Sequence, residues 1–252
     1  MSDLPQPENE IPVSPVRVKL PRNQNLVTFI LIGITGVAFL LQYLSEAITG
    51  MDLLFAYGGK INQFILRGQV WRLITPVFLH GSFLHIALNM YALFIIGRRM
   101  ERFYGHKRLL LLYLLSGFAG NTLSFVLTPA PSLGASTAVF GLLAAEGMFI
   151  VQNRKLFGPE RTRQAVMNYA VILLINLVYG FMPSTNIDTM GHVGGFIGGL
   201  FFAWKAGPIL NVGGQPPFFD MVDIRKKNEV YLAALVVLIG FTIIAAIPFI
   251  TN

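Results

Sequence analysis

A helical membrane bundle, all-α and with seven spanning segments, is the fold this sequence predicts, and three observations predict it. The chain is 54% hydrophobic and only 12% charged, whereas soluble domains carry about a quarter charged residues. Seven apolar runs recur along it, each near the roughly 20 residues that cross a bilayer as a helix. Most of the basic residues gather in every second connection between those runs, which is the charge pattern of cytoplasmic loops. The mean hydropathy of +0.62 agrees. The net charge of +7 therefore reads as topology, and no long basic patch argues for a nucleic-acid partner. The absence of cysteine excludes disulfides, thiol catalysis and thiolate metal sites.

The elements follow in order. Residues 1–25 form a polar, proline-bearing tail, with Lys19 and Arg22 just ahead of the first run. That run, 26–45, is too long for a signal-peptide core and no A-x-A-like site follows it, so it reads as a permanent anchor. The connection 46–79 is too apolar for a solvated linker and contains Trp71 and Arg72. A loop of this length has structure of its own or a task, and it is expected at the outer interface, where Trp and Tyr are at home. Further runs fall at 83–99, 108–128, 134–152, 166–182 and 189–205. Residues 26–205 thus hold six helices. Residues 206–229 read as a cytoplasmic linker, and 230–252 carry a seventh helix over 230–250.

The charges orient these runs. Arg98, Arg99, Arg102, Lys107 and Arg108 follow the second run. Arg154, Lys155, Arg161 and Arg163 follow the fourth, and Lys205, Arg225, Lys226 and Lys227 follow the sixth. These three groups share one side, which the positive-inside rule makes cytoplasmic together with the N-terminus. The connection 129–133 is uncharged and 183–188 holds only Asp188; both lie outside. With no organelle-targeting segment in view, a prokaryotic plasma membrane is the expected location.

Two polar residues stand out against this background. Ser136 opens the fourth run inside Leu133-Gly134-Ala135-Ser136-Thr137, and His192 opens the sixth inside Gly191-His192-Val193-Gly194-Gly195. The loop count puts both a turn or so in from the outer face. Polar groups are costly in hydrocarbon and mark function there. A serine needs an adjacent base to become a nucleophile, and His192 is the histidine on another outer-facing helix end. The nearest acid, Asp188, falls in the outer loop, so a dyad is expected, with the orienting role of a third residue taken by packing and hydrogen bonds. Phe140, four residues beyond Ser136, shares its helical face and can stack on His192. Small residues at Gly134, Ala138, Gly141 and Ala145, and at Gly191, Gly195 and Gly199, allow the two helices to approach closely. His85 and Asn89 are spaced i,i+4 on one face of the second helix; with the Ser136 N–H they supply donors for an oxyanion. His80 lies at the same outer end.

Each group also has a bland reading. Ser136 serves as a packing serine, His192 as a structural hydrogen bonder, His85 and Asn89 as interhelical glue, and Trp71 with Arg72 as an interface anchor. Their convergence on one membrane face favours chemistry. A zinc site from His80, His85 and His192 lacks the usual acidic or thiolate partners, so neither metal nor cofactor is called for.

Together the motifs resemble the rhomboid family of intramembrane serine proteases. They are Trp71-Arg72, His80-x-x-x-x-His85-x-x-x-Asn89, Glu101-x-x-x-Gly105, Gly134-x-Ser136 and Gly191-His192-x-Gly194-Gly195, and the resemblance covers residues 26–205. It implies a six-helix core, here followed by a seventh helix. It makes Ser136 the nucleophile and His192 the general base, gives the oxyanion to His85, Asn89 and the Ser136 amide, and leaves Arg72 and Glu101 structural. It implies single-pass membrane proteins as substrates, cut at small residues near the outer end of the span. The fifth helix and the 183–188 loop would act as gate and cap. Two positions depart from the pattern. Thr137 stands where the family often has glycine and is expected to crowd the substrate side of the nucleophile; Phe140 stands where a tyrosine is common. The rival readings are a silent rhomboid-like protein that binds membrane clients and a transporter built around Glu146. No internal repeat supports the transporter.

Overall fold

The computed structural model describes residues 18–19, 24–180, 182, 187–215 and 218–251. Most of the 1–25 tail and of the 183–188 loop lies outside the described residues. The first helix, α1 (Leu26–Thr49), has no side-chain cap of its own. Glu101, fully buried, serves instead. Its carboxylate accepts the Val27 N–H at 2.7 Å, the Thr28 N–H at 2.9 Å and the Thr28 hydroxyl at 2.6 Å. A carboxylate also complements the positive end of the helix dipole, so Glu101 ties the second segment to the start of the first.

The long 46–79 connection is folded. It contains α2 (Leu53–Gly58), α3 (Asn62–Leu66) and two 3-10 turns, Val70–Leu73 and Thr75–Phe78. Arg72 organises it from within. Its guanidinium donates to the carbonyls of Ala56 at 2.6 Å and Gly59 at 2.7 Å and to Gln69 Oε1 at 2.8 Å, and it lies over the Phe64 ring. Trp71 is half exposed and donates its indole N–H to the Tyr57 carbonyl. Arg72, Trp71 and Glu101 are therefore scaffold contacts set apart from the Ser136–His192 pair.

The next helix, α4 (Phe83–Ala92), passes through one π turn (Leu93–Gly97) into α5 (Arg98–Leu127). Gly105 breaks this rod with φ 73° and ψ 167°, angles that a residue with a Cβ rarely adopts. The connection expected between 99 and 108 is thus a single glycine corner, and Arg98, Arg99 and Arg102 are helical. Charge made these residues look like loop; a one-residue corner leaves no hydropathy trace.

Then come α6 (Ser136–Gln152), α7 (Arg154–Phe157), α8 (Pro159–Gly180), α9 (Thr189–Ala206) and α10 (Lys227–Thr251). α8 begins seven residues before the expected 166, because a proline suits the first helical position and its first turns carry Arg161 and Arg163. Of these helices α1, α4, α5, α6, α8, α9 and α10 overlap the apolar runs in order, and α2, α3 and α7 lie between them. By length and composition α1, the α4–α5 rod and α10 are long and apolar enough to cross a membrane, and α6 is a shorter apolar helix.

The 206–229 linker is corrected by a small sheet. Strand β1 (Val18–Lys19) runs parallel to β3 (Phe218–Asp223), which pairs antiparallel with β2 (Leu210–Gln215) from Leu210↔Asp223 to Gln215↔Phe218. Among the described residues these three strands are the sheet that accompanies an otherwise helical bundle, as the fold class expects. Asp223 closes the hairpin by accepting the N–H groups of Ile209 and Arg225 and pairing with Arg108.

The packed centre is α5, α6 and α9, with α10 laid on α5 and α9; α8 contacts chiefly α6 and α7. Small residues set the spacing. A Cβ on Gly195 would fall 2.0 Å from the Thr137 carbonyl oxygen, and one on Gly199 2.4 Å from the Gly141 Cα. Close backbone approach of this kind is how helices associate in lipid.

Candidate active site

Ser136 is the first residue of α6, so its peptide N–H has no intrahelical acceptor. The chain reaches it through Gly134 at φ 131°. A Cβ at Gly134 would stand 2.8 Å from both Nε2 and Cε1 of His85. Glycine is thus required twice, by the backbone angle and by the imidazole lying on the turn. The Gly134 N–H donates to the Pro76 carbonyl at 2.9 Å, and the Ala135 N–H to His80 Nε2 at 3.3 Å. The entry to the serine is held from both sides.

His192 lies in the first turn of α9. Asp188 caps that helix: its carboxylate accepts the Gly191 N–H at 2.9 Å and its carbonyl accepts the His192 N–H at 3.0 Å. This places His192 Nε2 2.8 Å from Ser136 Oγ. Phe140 stacks on the imidazole, with ring centroids 4.3 Å apart and planes 14° from parallel. The ring is clamped on its face and engaged at its edge.

His80 and His85 meet edge to face with centroids 4.9 Å apart. His80 is buried and spends Nε2 on the Ala135 amide, so it supports the serine loop. Asn89, also buried, donates one amide hydrogen to the His85 carbonyl at 2.9 Å; a side-chain amide has a second to give. Ser136, His192, Phe140 and the His85 ring thus gather about the start of α6, with Asn89 one turn along α4 from His85. Among the described residues no group of three His, Asp or Glu is placed to hold a metal ion.

Thr137 does not point where the sequence placed it. It is buried, and its Cβ and methyl lie 2.6 and 2.9 Å from where a Cβ on Gly120 of α5 would be. Its side chain fills the α5–α6 seam behind Ser136, because one residue along the first turn of a helix rotates the direction by about 100°. Glu146, the acid of the transporter reading, is paired with Arg99 at 2.9 Å.

Two residues of the site escaped the sequence reading. Asp188 was placed in the loop and set aside as an acid, yet Asp-x-x-Gly ahead of an apolar run is a legible helix start. Its partner is Ser124 of α5, whose hydroxyl donates to Asp188 Oδ2 at 2.5 Å. Nothing in the sequence marks Ser124.

Residues 67–209 match the family model of the Rhomboid domain. Rhomboid protease GluP of Bacillus subtilis is 43% identical over 180 residues, which are 71% of this chain and 34% of that protein. RHOMBOID-like protein 5 of Arabidopsis thaliana is 36% identical over 183 residues, 69% of this chain and 58% of its own. Putative rhomboid protease YdcA of Bacillus subtilis is 32% identical over 145 residues, 57% of this chain and 70% of its own. The chain thus spans well under two thirds of the length of the first two relatives. The family model alone covers more than half of the chain, on the same segment that holds Ser136 and His192: the chain belongs to the rhomboid family.

Proposed function

We propose that this protein, a multi-pass membrane protein, is an intramembrane serine endopeptidase that cleaves single-pass transmembrane proteins near the outer face. The observation that carries this reading is the 2.8 Å contact between Ser136 Oγ and His192 Nε2, within the range of a nucleophile and its base. In the reaction the Ser136 hydroxyl attacks the scissile carbonyl while His192 Nε2 takes its proton. The tetrahedral oxyanion develops beside the free Ser136 N–H, at the positive end of α6, with the His85 ring and the Asn89 amide as side-chain donors. His192 then returns the proton to the leaving amine, and a water activated by the same ring hydrolyses the acyl-enzyme. Asp188 is not a third member bonded to the ring; its carboxylate is engaged by Gly191 and Ser124.

The charge pattern supports a cytoplasmic N-terminus and an outer-facing site. The light packing of α8, which buries none of its described residues, supports its role as the gate through which a substrate helix enters. Two namesakes are called proteases, which agrees with the reading.

The deciding experiment is cleavage of a fluorescent transmembrane substrate by the purified full chain, wild type beside Ser136→Ala, with fluorophosphonate labelling in parallel. Cleavage and labelling by the wild type alone are expected, since the change removes one oxygen and leaves the packing. Cleavage retained by Ser136→Ala refutes the dyad. Absence of both cleavage and labelling in the wild type moves the chain to the silent, client-binding reading.

A further inference from the structure

The Ser136–His192 contact needs α9 to start in one place, and the residue that starts it is charged. Asp188 holds the first turn by two bonds, from the Gly191 and His192 N–H groups. It is itself held by a third, from the Ser124 hydroxyl on the neighbouring helix. Ser124 is fully buried. A buried hydroxyl aimed at the cap of another helix fixes that helix along its own axis. Gly120, one turn before Ser124 on α5, packs against the Gly191 carbonyl, so α5 grips the same turn twice.

We propose that Ser124 and Asp188 form a positioning clasp for His192. The hydroxyl fixes the carboxylate, and the carboxylate fixes the first turn of α9, which carries His192. This rests on the dyad reading. The proton balance is simple: the Ser136 O–H bond breaks, an N–H bond forms at His192 Nε2, and the ring that receives the proton stands one helical turn from the Asp188 cap. The clasp does through the helix what a ring-bonded acid does by contact.

A cap alone contributes stability; a clasp also sets where His192 stands. Asp188→Asn is the conservative variant, because asparagine caps as well as aspartate and its oxygen can still accept the Ser124 hydroxyl. Ser124→Ala leaves the Gly191 cap and removes the hold on it; Asp188→Ala removes both. The full chain is assayed for kcat, KM and fluorophosphonate labelling of Ser136, with unfolding temperature alongside. The expected result for Ser124→Ala is KM within twofold and kcat and labelling rate lowered about tenfold, the size of a misplaced reacting pair short of 1 Å; Asp188→Ala falls further, and Asp188→Asn recovers most of the rate. Wild-type kcat and labelling in Ser124→Ala and Asp188→Ala overturn the proposal, whatever happens to their stability. If the wild type itself neither cleaves nor labels, the protease reading fails first; an active wild type with unchanged variants sinks the clasp alone.

Discussion

A single methyl added at Gly195 should uncouple the two halves of the site. The Cβ of Gly195→Ala would stand 2.0 Å from the Thr137 carbonyl oxygen, 2.8 Å from its carbon and 3.2 Å from its Cα. All three are backbone atoms, so no rotamer relieves the clash. Carbon rests about 3.3 Å from a carbonyl oxygen in close backbone contacts, so α6 and α9 must part by roughly 1.3 Å there. Thr137 is next to Ser136, and Gly195 is less than a turn past His192. The same displacement takes the 2.8 Å Ser136–His192 contact to about 4 Å, beyond the reach of a nucleophile and its base. Overpacking of this kind costs about 1–3 kcal/mol, and a 1 Å misplacement in a reacting pair lowers the rate by about 10²-fold. The assays are thermal unfolding in detergent and cleavage of a transmembrane substrate. Gly240→Ala is the control: it lies in α10 with nothing within 4 Å of an added Cβ, and alanine there favours the helix by up to about 1 kcal/mol. A Gly195→Ala protein with wild-type stability refutes the close contact. One that is destabilised yet cleaves at the wild-type rate refutes the link between that contact and the site.

Two further predictions concern residues next to the site. Thr137→Ser removes the methyl packed at Gly120 and should cost about 0.5–1.5 kcal/mol in unfolding free energy, with cleavage rates and the preferred residue at the scissile bond unchanged; an altered preference would return Thr137 to the substrate cleft. Lys60, outside the spanning helices, has its pKa lowered to about 8 from 10.5 by burial, against the opposing pull of Asp188. Between those values the unfolded chain holds a proton that the folded chain has released, so stability should rise with pH across the window, by about 1–3 kcal/mol. Denaturation by SDS at pH 7.5 and pH 9.5 checks this, with Lys60→Met as reference; equal gains in both proteins would dismiss Lys60 as the source.

What the sequence discloses is what depends on composition over a helix length. Burying twenty residues in lipid leaves a mark that hydropathy reads, and counting alternate runs puts Ser136 and His192 at the same end of their helices, where they meet. Their register could also be read, because glycines every four residues on α9 predict a close neighbour. Features that hinge on one residue or on distant pairing were not legible. Gly105 ends a helix by its backbone angle alone. The β2–β3 hairpin is short, with paired glycines in β2, and β1 lies about 200 residues away in the chain, so no local periodicity betrays it. The direction of Thr137 depends on where α6 begins to within one residue, which is finer than pattern reading resolves.

Ser136 is held in place by the way an irregular segment is made tolerable beside lipid. The stretch 128–135 is not helical and its peptide groups need partners within the protein. Lys60 Nζ supplies two of them, donating to the carbonyls of Thr128 at 2.8 Å and Ala130 at 2.7 Å. The Lys60 backbone pairs with Ser132 in both directions at 3.0 Å. Pro76 takes the Gly134 N–H and His80 takes that of Ala135. Each of these bonds is a solvation requirement, and together they fix the peptide immediately before the serine from three points, Lys60, Pro76 and His80. A fixed direction for the Ser136 N–H then follows from satisfying the backbone, with no separate device. This explains why an apolar 46–79 connection with its own helices precedes a site that it does not itself contain: removing it would take the Lys60 donors from the carbonyls of Thr128, Ala130 and Ser132 and leave Ser136 without a fixed approach.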